Sequence, residues 1–161
     1  FKIIVRITCD NPLIDPTLID SVIDVFVNNQ YDYVTNCKPR TYPQGTEVEV
    51  FSFSALENAW RNSKKSSEKE HVTPYFYNNQ DKFQMFNIEN DIDLSRYRWT
   101  VDSEKDLEFI KIIYSKIKKS PILMKDILQL LIDEPNLIKI NEKHMIDEGY
   151  LKSVNDEKNK I

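Results

Sequence analysis

Two aspartates stand where apolar runs end, far apart in the chain. The first run opens Phe1-Lys-Ile-Ile-Val-Arg-Ile-Thr and reaches Asp10, just ahead of Asn11 and Pro12; the second, Arg96-Tyr-Arg-Trp-Thr-Val, reaches Asp102. Each run predicts a strand and each is followed by helix-start residues. Both carboxylates are therefore expected at the carboxyl edge of a sheet, where open α/β sheets place their ligands. On neighbouring strands the pair can share one hard divalent cation. Singly, each has a plainer reading: Asp10 as a turn acceptor before Pro12, Asp102 as a helix-start residue beside Ser103. The residues alone leave both readings open.

Other side chains could meet a substrate. Arg40 lies in a loop that ends at Gly45, and Glu47 and Glu49 alternate along the strand that follows, which puts both carboxylates on one face. An arginine for an anionic group and carboxylates for hydroxyls suit sugar recognition, and a solvated strand face explains the same residues. His71 has the ordinary pKa of a proton acceptor or could simply be a half-exposed helix residue. Asp15 and Asp106 have sufficient structural roles, the first as N-cap before Pro16, the second three residues after the capping Ser103. Arg6 and Arg98 are strand residues whose heads should pair with acids. Trp60 and Trp99 are expected in the core, and Cys9 and Cys37 as reduced, semi-buried thiols. His144 is assigned no role.

The elements that must position these groups follow from punctuation and period. The opening apolar strand has the pattern of one buried in the middle of a parallel sheet. After Asp15 and Pro16, the residues Leu18, Ile19, Val22, Ile23, Phe26 and Val27 recur at helical spacing as far as Asn28. Strands are expected over 31–36, 47–53, 83–88 and 99–101, with a Pro- and Gly-bearing loop over 37–45 and a polar turn over 90–94. Ser54 and Glu57 predict a capping box for a short helix through Trp60. Ser67 and Glu70 predict another, for a helix kinked by Pro74 and reaching about residue 77. Ser103 caps a helix whose apolar face is Leu107, Ile110, Ile113, Tyr114 and Ile117. A short helix over 124–132 follows, then a second near 141–147 and a polar end from residue 150. Strands alternating with helices describe a three-layer α/β/α domain.

Composition limits the partners. The chain has 161 residues, 40% hydrophobic and 30% charged, with a net charge of -4 and both signs interspersed, so a nucleic-acid surface is not expected. No apolar run has the length of a membrane span and no charged start precedes an apolar core, so a cytoplasmic protein is expected. The first residue is Phe, at the start of an apolar strand, so an amino-terminal part is expected to precede it.

Five motifs in order carry a resemblance. They are Val5-Arg-Ile-Thr-Cys-Asp-Asn-Pro-Leu-Ile-Asp-Pro16, Tyr31-Asp-Tyr-Val-Thr-Asn36, Arg40-Thr-Tyr-Pro-Gln-Gly-Thr-Glu-Val-Glu-Val-Phe-Ser52, Ser67-Glu-Lys-Glu-His-Val-Thr-Pro-Tyr75 and Arg98-Trp-Thr-Val-Asp-Ser-Glu-Lys-Asp-Leu-Glu108. Together they resemble the cytidylyltransferase family of spore coat polysaccharide biosynthesis, which is similar to the acylneuraminate and ketodeoxyoctonate cytidylyltransferases. The likeness implies a nucleotidyltransferase-like α/β/α sheet that lacks the family's amino-terminal nucleotide loop. Residues 1–118 would be its sugar- and metal-side part, and 119–161 a helical carboxyl-terminal extension and tail. It implies a metal-dependent transfer from CTP to a sugar, with Asp10 and Asp102 as catalytic ligands of Mg²⁺ and Arg40, Glu47, Glu49 and His71 on the substrate side. It also implies a homodimer in which the strand from Glu47 contributes to an arm. Two other readings stand beside it: a non-catalytic sugar-, metal- or subunit-binding module, and a nucleotide-sugar glycosyltransferase, whose close Asp-x-Asp pairing is missing at Asp10-Asn11-Pro12.

Overall fold

The computed structural model describes residues 2–142 and 155–156. Strand β1 (Ile3–Arg6) leads to helix α1 (Pro16–Val27), then come β2 (Tyr33–Thr35) and β3 (Glu49–Ser52). Helices α2 (Phe53–Asn62), α3 (Ser66–His71) and α4 (Pro74–Asn78) follow, then β4 (Met85–Asn87), α5 (Glu104–Lys116) and α6 (Met124–Asp133). The strands form one sheet in the order β1-β3-β2-β4. The β1–β3 and β2–β3 pairs are antiparallel, and β2–β4 is parallel.

Strand β3 explains the layering. Its Val50, with Val34 of β2, faces Leu18, Val22 and Phe26 of α1. Its Phe51, with Tyr33, faces Ala55 and Ala59 of α2 and Phe76 of α4. Alternation along two short strands thus gives the sheet two buried faces, the three-layer α/β/α arrangement. Full burial of each large apolar side chain on α1 stabilises the layer by about 1.5–3 kcal/mol. A third cluster joins α5 and α6 through Phe109, Ile113, Ile127 and Leu131 to Leu13, Tyr97 and Trp99.

Several sequence expectations need correction. Strand β1 is not a central parallel strand. It pairs antiparallel at one edge of the described sheet, where Ile4 packs inward and Ile3 and Val5 stay 42% and 39% exposed. A continuous apolar run cannot tell these cases apart, because alternation is invisible when both faces carry Ile and Val. Residues 99–101 form no strand. The hydrogen bonds of the 97–101 segment go to loops: Gln44 N–H to Tyr97 O at 2.9 Å, Trp99 N–H to Gln44 O at 2.7 Å and Val101 N–H to Asp10 O at 2.9 Å.

Helix α2 begins two residues early, with Ser52 as its N-cap, whose hydroxyl accepts from Ala55 N–H at 3.0 Å. Ala55 and Ala59 are its buried face, so Trp60, one residue further round, is 71% exposed rather than in the core. The expected kinked helix is two helices, and Ser67 lies inside α3 rather than capping it. The break is at Val72, at φ 68° and ψ -55°, where His71 O accepts from Thr73 N–H at 2.8 Å. That is a γ-turn, strained for a β-branched residue.

Helix α5 keeps its predicted capping box of Ser103 and Asp106 but buries Asp106, Phe109, Ile110 and Ile113, leaving Leu107 and Tyr114 exposed. The buried stripe is rotated because Asp106, read from sequence only as a cap, belongs to it. The cap of α1 is as expected: Asp15 Oδ1 accepts from Thr17 N–H at 2.8 Å, while Oδ2 accepts from Met124 N–H at 2.7 Å, tying α1 to α6. The expected helix near 141–147, beyond Glu142, and the polar end, apart from residues 155–156, lie outside the described residues. No helix among the described residues is long and apolar enough to cross a membrane.

Candidate active site

Arg6, Thr35 and Glu49 share one register level of the sheet, at the carboxyl ends of β1 and β2. The candidate residues gather beyond that level. Asp10 lies in the turn between β1 and α1, and its backbone carbonyl takes the Val101 N–H at 2.9 Å. The Thr100 hydroxyl lies 3.3 Å from both that carbonyl and Asp10 Oδ2. These bonds set the segment that ends in Asp102 against the Asp10 turn.

Asp10 Oδ1 is buried and has no hydrogen-bond donor among the described residues. A buried carboxylate oxygen left this way is costly, and a cation is one group that removes the cost. No group of three or more His, Cys, Asp or Glu side chains among the described residues is arranged to hold a metal. Mg²⁺ takes only one or two protein carboxylates, so a pair of acids is the kind of donor set that suits its chemistry.

Asp102 is 54% exposed at its side chain and is held by Arg98, whose Nη2 donates to Oδ2 at 2.6 Å. The same guanidinium is anchored from behind by the fully buried Asp106, Nε to Oδ1 at 2.9 Å and Nη2 to Oδ2 at 3.0 Å. Asp106 Oδ2 also accepts from the Asp102 and Ser103 N–H groups and the Ser103 hydroxyl. Asn141 Nδ2 donates to Asp106 Oδ1 and to Arg98 O, each at 3.0 Å. Burial pushes the Asp106 carboxyl up, but the bonds from Arg98, Asn141, Ser103 and the Asp102 backbone outweigh it and hold the carboxyl well below its usual range. Of the two arginines expected in strands, Arg98 lies outside any strand and pairs with Asp102 and Asp106; Arg6, in β1, pairs with Glu49.

The β3 side divides into two sets. Glu47 precedes β3, pairs with Arg40, and accepts from Gly45 N–H at 3.1 and 3.0 Å. Its Oε2 also takes Asn11 Nδ2 at 3.1 Å, which links the Arg40 loop to the residue after Asp10. Glu49 is buried, ion-paired to Arg6 and accepting from Tyr33 Oη at 2.5 Å and Tyr77 Oη at 2.8 Å. The two tyrosine hydroxyls also bond each other, and Cys37 Sγ lies 3.7 Å from Tyr77 Oη. Burial, then the Glu49 charge, raises both phenols well above their usual range and pushes the Cys37 thiol up to about 11. Cys37 is buried rather than semi-buried, and Cys9 is exposed; both are free thiols. His71, half-buried, is the last residue of α3, just before the Val72 turn.

The structure thus brings Asp10, Asp102, Arg40 and Glu47 into one connected set of loops and places Glu49 in a buried tyrosine-lined set beside it. Sequence reasoning passed over Asn11, Thr100, Tyr33, Tyr77 and Asn141. The tyrosines had a signal, since a buried phenol needs a partner and Tyr33 and Glu49 fall in neighbouring strands.

The fold is that of a three-layer α/β protein, with paired acids and arginines gathered on loops at one end of its sheet. The chain belongs to the cytidylyltransferase family, whose sequence model matches residues 1–148. It is 36% identical over 141 residues to the uncharacterized protein MJ1063 of Methanocaldococcus jannaschii, covering 86% of this chain and 57% of that protein. It is 29% identical over 141 residues to the spore coat polysaccharide biosynthesis protein SpsF of Bacillus subtilis, covering 84% of this chain and 57% of SpsF. The structure of a cytidylyltransferase from Leptospira borgpetersenii serovar Hardjo-bovis superposes with a TM-score of 0.83 at 34% identity, over 91% of this chain and 61% of that one. The chain spans somewhat more than half the length of these relatives.

Proposed function

We propose that this chain carries the cation and acceptor side of a nucleotidyltransferase that joins CMP from CTP to a sugar, in the synthesis of a surface polysaccharide. Family membership supports the reaction class, and the name of the SpsF relative supports the polysaccharide. In such a transfer a sugar hydroxyl oxygen bonds to the α-phosphorus, the bond from that phosphorus to the bridging oxygen breaks, pyrophosphate leaves, and the hydroxyl proton is released to solvent.

The observation that carries the reading is the Asp10 turn locked against Thr100 and Val101, with the buried Asp10 Oδ1 lacking a donor among the described residues and Asp102 next in the chain. Asp10 and Asp102 would hold Mg²⁺, which when bound neutralises phosphate oxygens and orients them for attack. Asp10 is the fixed member, gripped through its carbonyl; Asp102 is the exposed one. On the acceptor side we assign Arg40 and Glu47, tied through Asn11 to the Asp10 turn, as the wall that faces the sugar. Glu49, buried with Arg6, Tyr33 and Tyr77, is assigned a structural role rather than a substrate contact, and His71 is assigned to the acceptor side.

Calorimetric titration of CTP with Mg²⁺ into the full-length protein, together with pyrophosphate release, tests the reading. Asp10→Asn and Asp102→Asn should each abolish cation-dependent nucleotide binding and turnover. Unchanged binding and release in both variants sinks it. Arg40→Ala should weaken sugar binding without altering CTP affinity.

A further inference from the structure

We propose that Arg98 is a positioning residue that presents Asp102 to the cation, and that Asn141, from the carboxyl-terminal segment, braces it. The inference rests on the cation reading of Asp10 and Asp102 given above and goes beyond it by assigning roles to groups behind the site.

The geometry separates three tasks. Asp106 is fully buried and contributes two oxygens to the Arg98 guanidinium, so the head of a nearly buried arginine is fixed in plane and direction. The Arg98 Nη2 then reaches forward to only one oxygen of Asp102, Oδ2, at 2.6 Å. A carboxylate held by one oxygen keeps the other for a cation, and it meets that cation with its rotamer already chosen. An uncompensated guanidinium beside a divalent cation would oppose binding, but the Asp106 carboxylate is ion-paired to it at contact distance. What faces Asp102 is a directed N–H without net charge behind it.

Asn141 closes the arrangement from the far side of the sequence. Its amide binds both the carboxylate that anchors Arg98 and the backbone carbonyl of Arg98 itself, and it is 4% exposed. The 3₁₀ turn at Pro135–Ile140, which packs against α5 and α6, delivers it there. Asn141 therefore supports the cation site through Arg98 and Asp106.

The test uses Mn²⁺ as the probe, titrated into the full-length protein, with free Mn²⁺ read by electron paramagnetic resonance. Arg98→Lys keeps a charge for Asp106 but cannot fork to both acids, and it should weaken Mn²⁺ binding by about 10–100-fold, the effect usual for losing a group behind a metal ligand. Asn141→Ala, which leaves the Arg98–Asp106 pair in place, should weaken it several-fold and serves if Arg98→Lys fails to fold. In an Asp102→Asn background neither substitution should cost anything further. Equal losses with and without Asp102, or unchanged Mn²⁺ binding in both variants while Asp102→Asn weakens it, overturns the positioning role alone. Wild-type protein that takes up no Mn²⁺, or an Asp102→Asn variant indistinguishable from wild type, overturns the cation reading and this role with it.

Discussion

Gly45 lies directly against the backbone of Thr100. A Cβ added at Gly45 would stand 2.4 Å from Thr100 N and 2.5 Å from the Trp99 carbonyl carbon, and Gly45 itself is at φ +96°. The loop that carries Arg40 and the segment that carries Asp102 therefore meet with no room for a side chain. Both atoms it would strike are backbone, so no rotamer change relieves the clash.

Gly45→Ala should accordingly destabilise the protein by more than about 1 kcal/mol, since an alanine forced to positive φ already costs that much before any overlap. Urea unfolding measures the loss. The same variant should impair cation-dependent binding, because the 98–101 backbone that positions Asp102 must shift. A stable Gly45→Ala protein with normal unfolding would show that the two segments are not locked together.

Asp10 makes the opposite prediction for stability. Its buried Oδ1 has no donor among the described residues, an arrangement that costs about 1–3 kcal/mol without a cation. Asp10→Ala removes that oxygen, so in chelator the variant should melt no lower than wild type. Added Mg²⁺ and CTP should raise the melting temperature of wild type only. A variant that is less stable than wild type in chelator would show that Asp10 serves structure first.

The legible parts of this molecule are those in which one residue type does one local job. Asp15 with Pro16, and Ser103 with Asp106, capped α1 and α5 as their spacing predicts. The misread parts depend on what lies opposite in space. Ile3 and Val5 look buried until pairing puts β1 at an edge, and Trp60 looks like core until Ala55 and Ala59 prove to be the packed face of α2. At the site, Asp10 and Asp102 stood out as acids at the ends of apolar runs, but Asp10 lies in a turn beyond β1 and Asp102 follows a segment that forms no strand; the groups that fix them, Thr100, Arg98 and Asn141, gain their meaning only from tertiary hydrogen bonds. Nothing in the spacing of Glu47 and Glu49 tells that one is tied to the Arg40 loop and the other sealed among tyrosines.

The two thiols should react very differently. Cys9 is exposed, whereas Cys37 is buried with its thiol pushed up to about 11 by burial and by the Glu49 charge. The thiolate is the reactive form, so a disulfide reagent near neutral pH should label Cys9 in the native protein and reach Cys37 only on unfolding. Mass spectrometry of the native adduct reads the site directly. Rapid native labelling at Cys37 would mean that the Glu49–Tyr33–Tyr77 layer opens in the folded state.

Stability should fall at both pH extremes, for identifiable reasons. Asp106 is held well below the ordinary carboxylate value near 3.9, so the stability it contributes is complete above about pH 4 and is lost as pH falls toward its native value. Tyr33 and Tyr77 are shifted the other way, first by burial and then by the Glu49 carboxylate. With folded values above the unfolded one near 10, their contribution is complete below about pH 10 and is lost as pH rises beyond it, because the unfolded chain releases those protons more easily. Urea midpoints across pH should therefore form a plateau that declines on both sides, and tyrosinate absorbance should show these two phenols ionising only together with unfolding. Tyr77→Phe should lower the plateau, since Glu49 loses a donor while buried, and make the alkaline decline shallower, since one raised phenol is gone. An alkaline limb as steep as that of wild type would place the titrating groups elsewhere in the molecule.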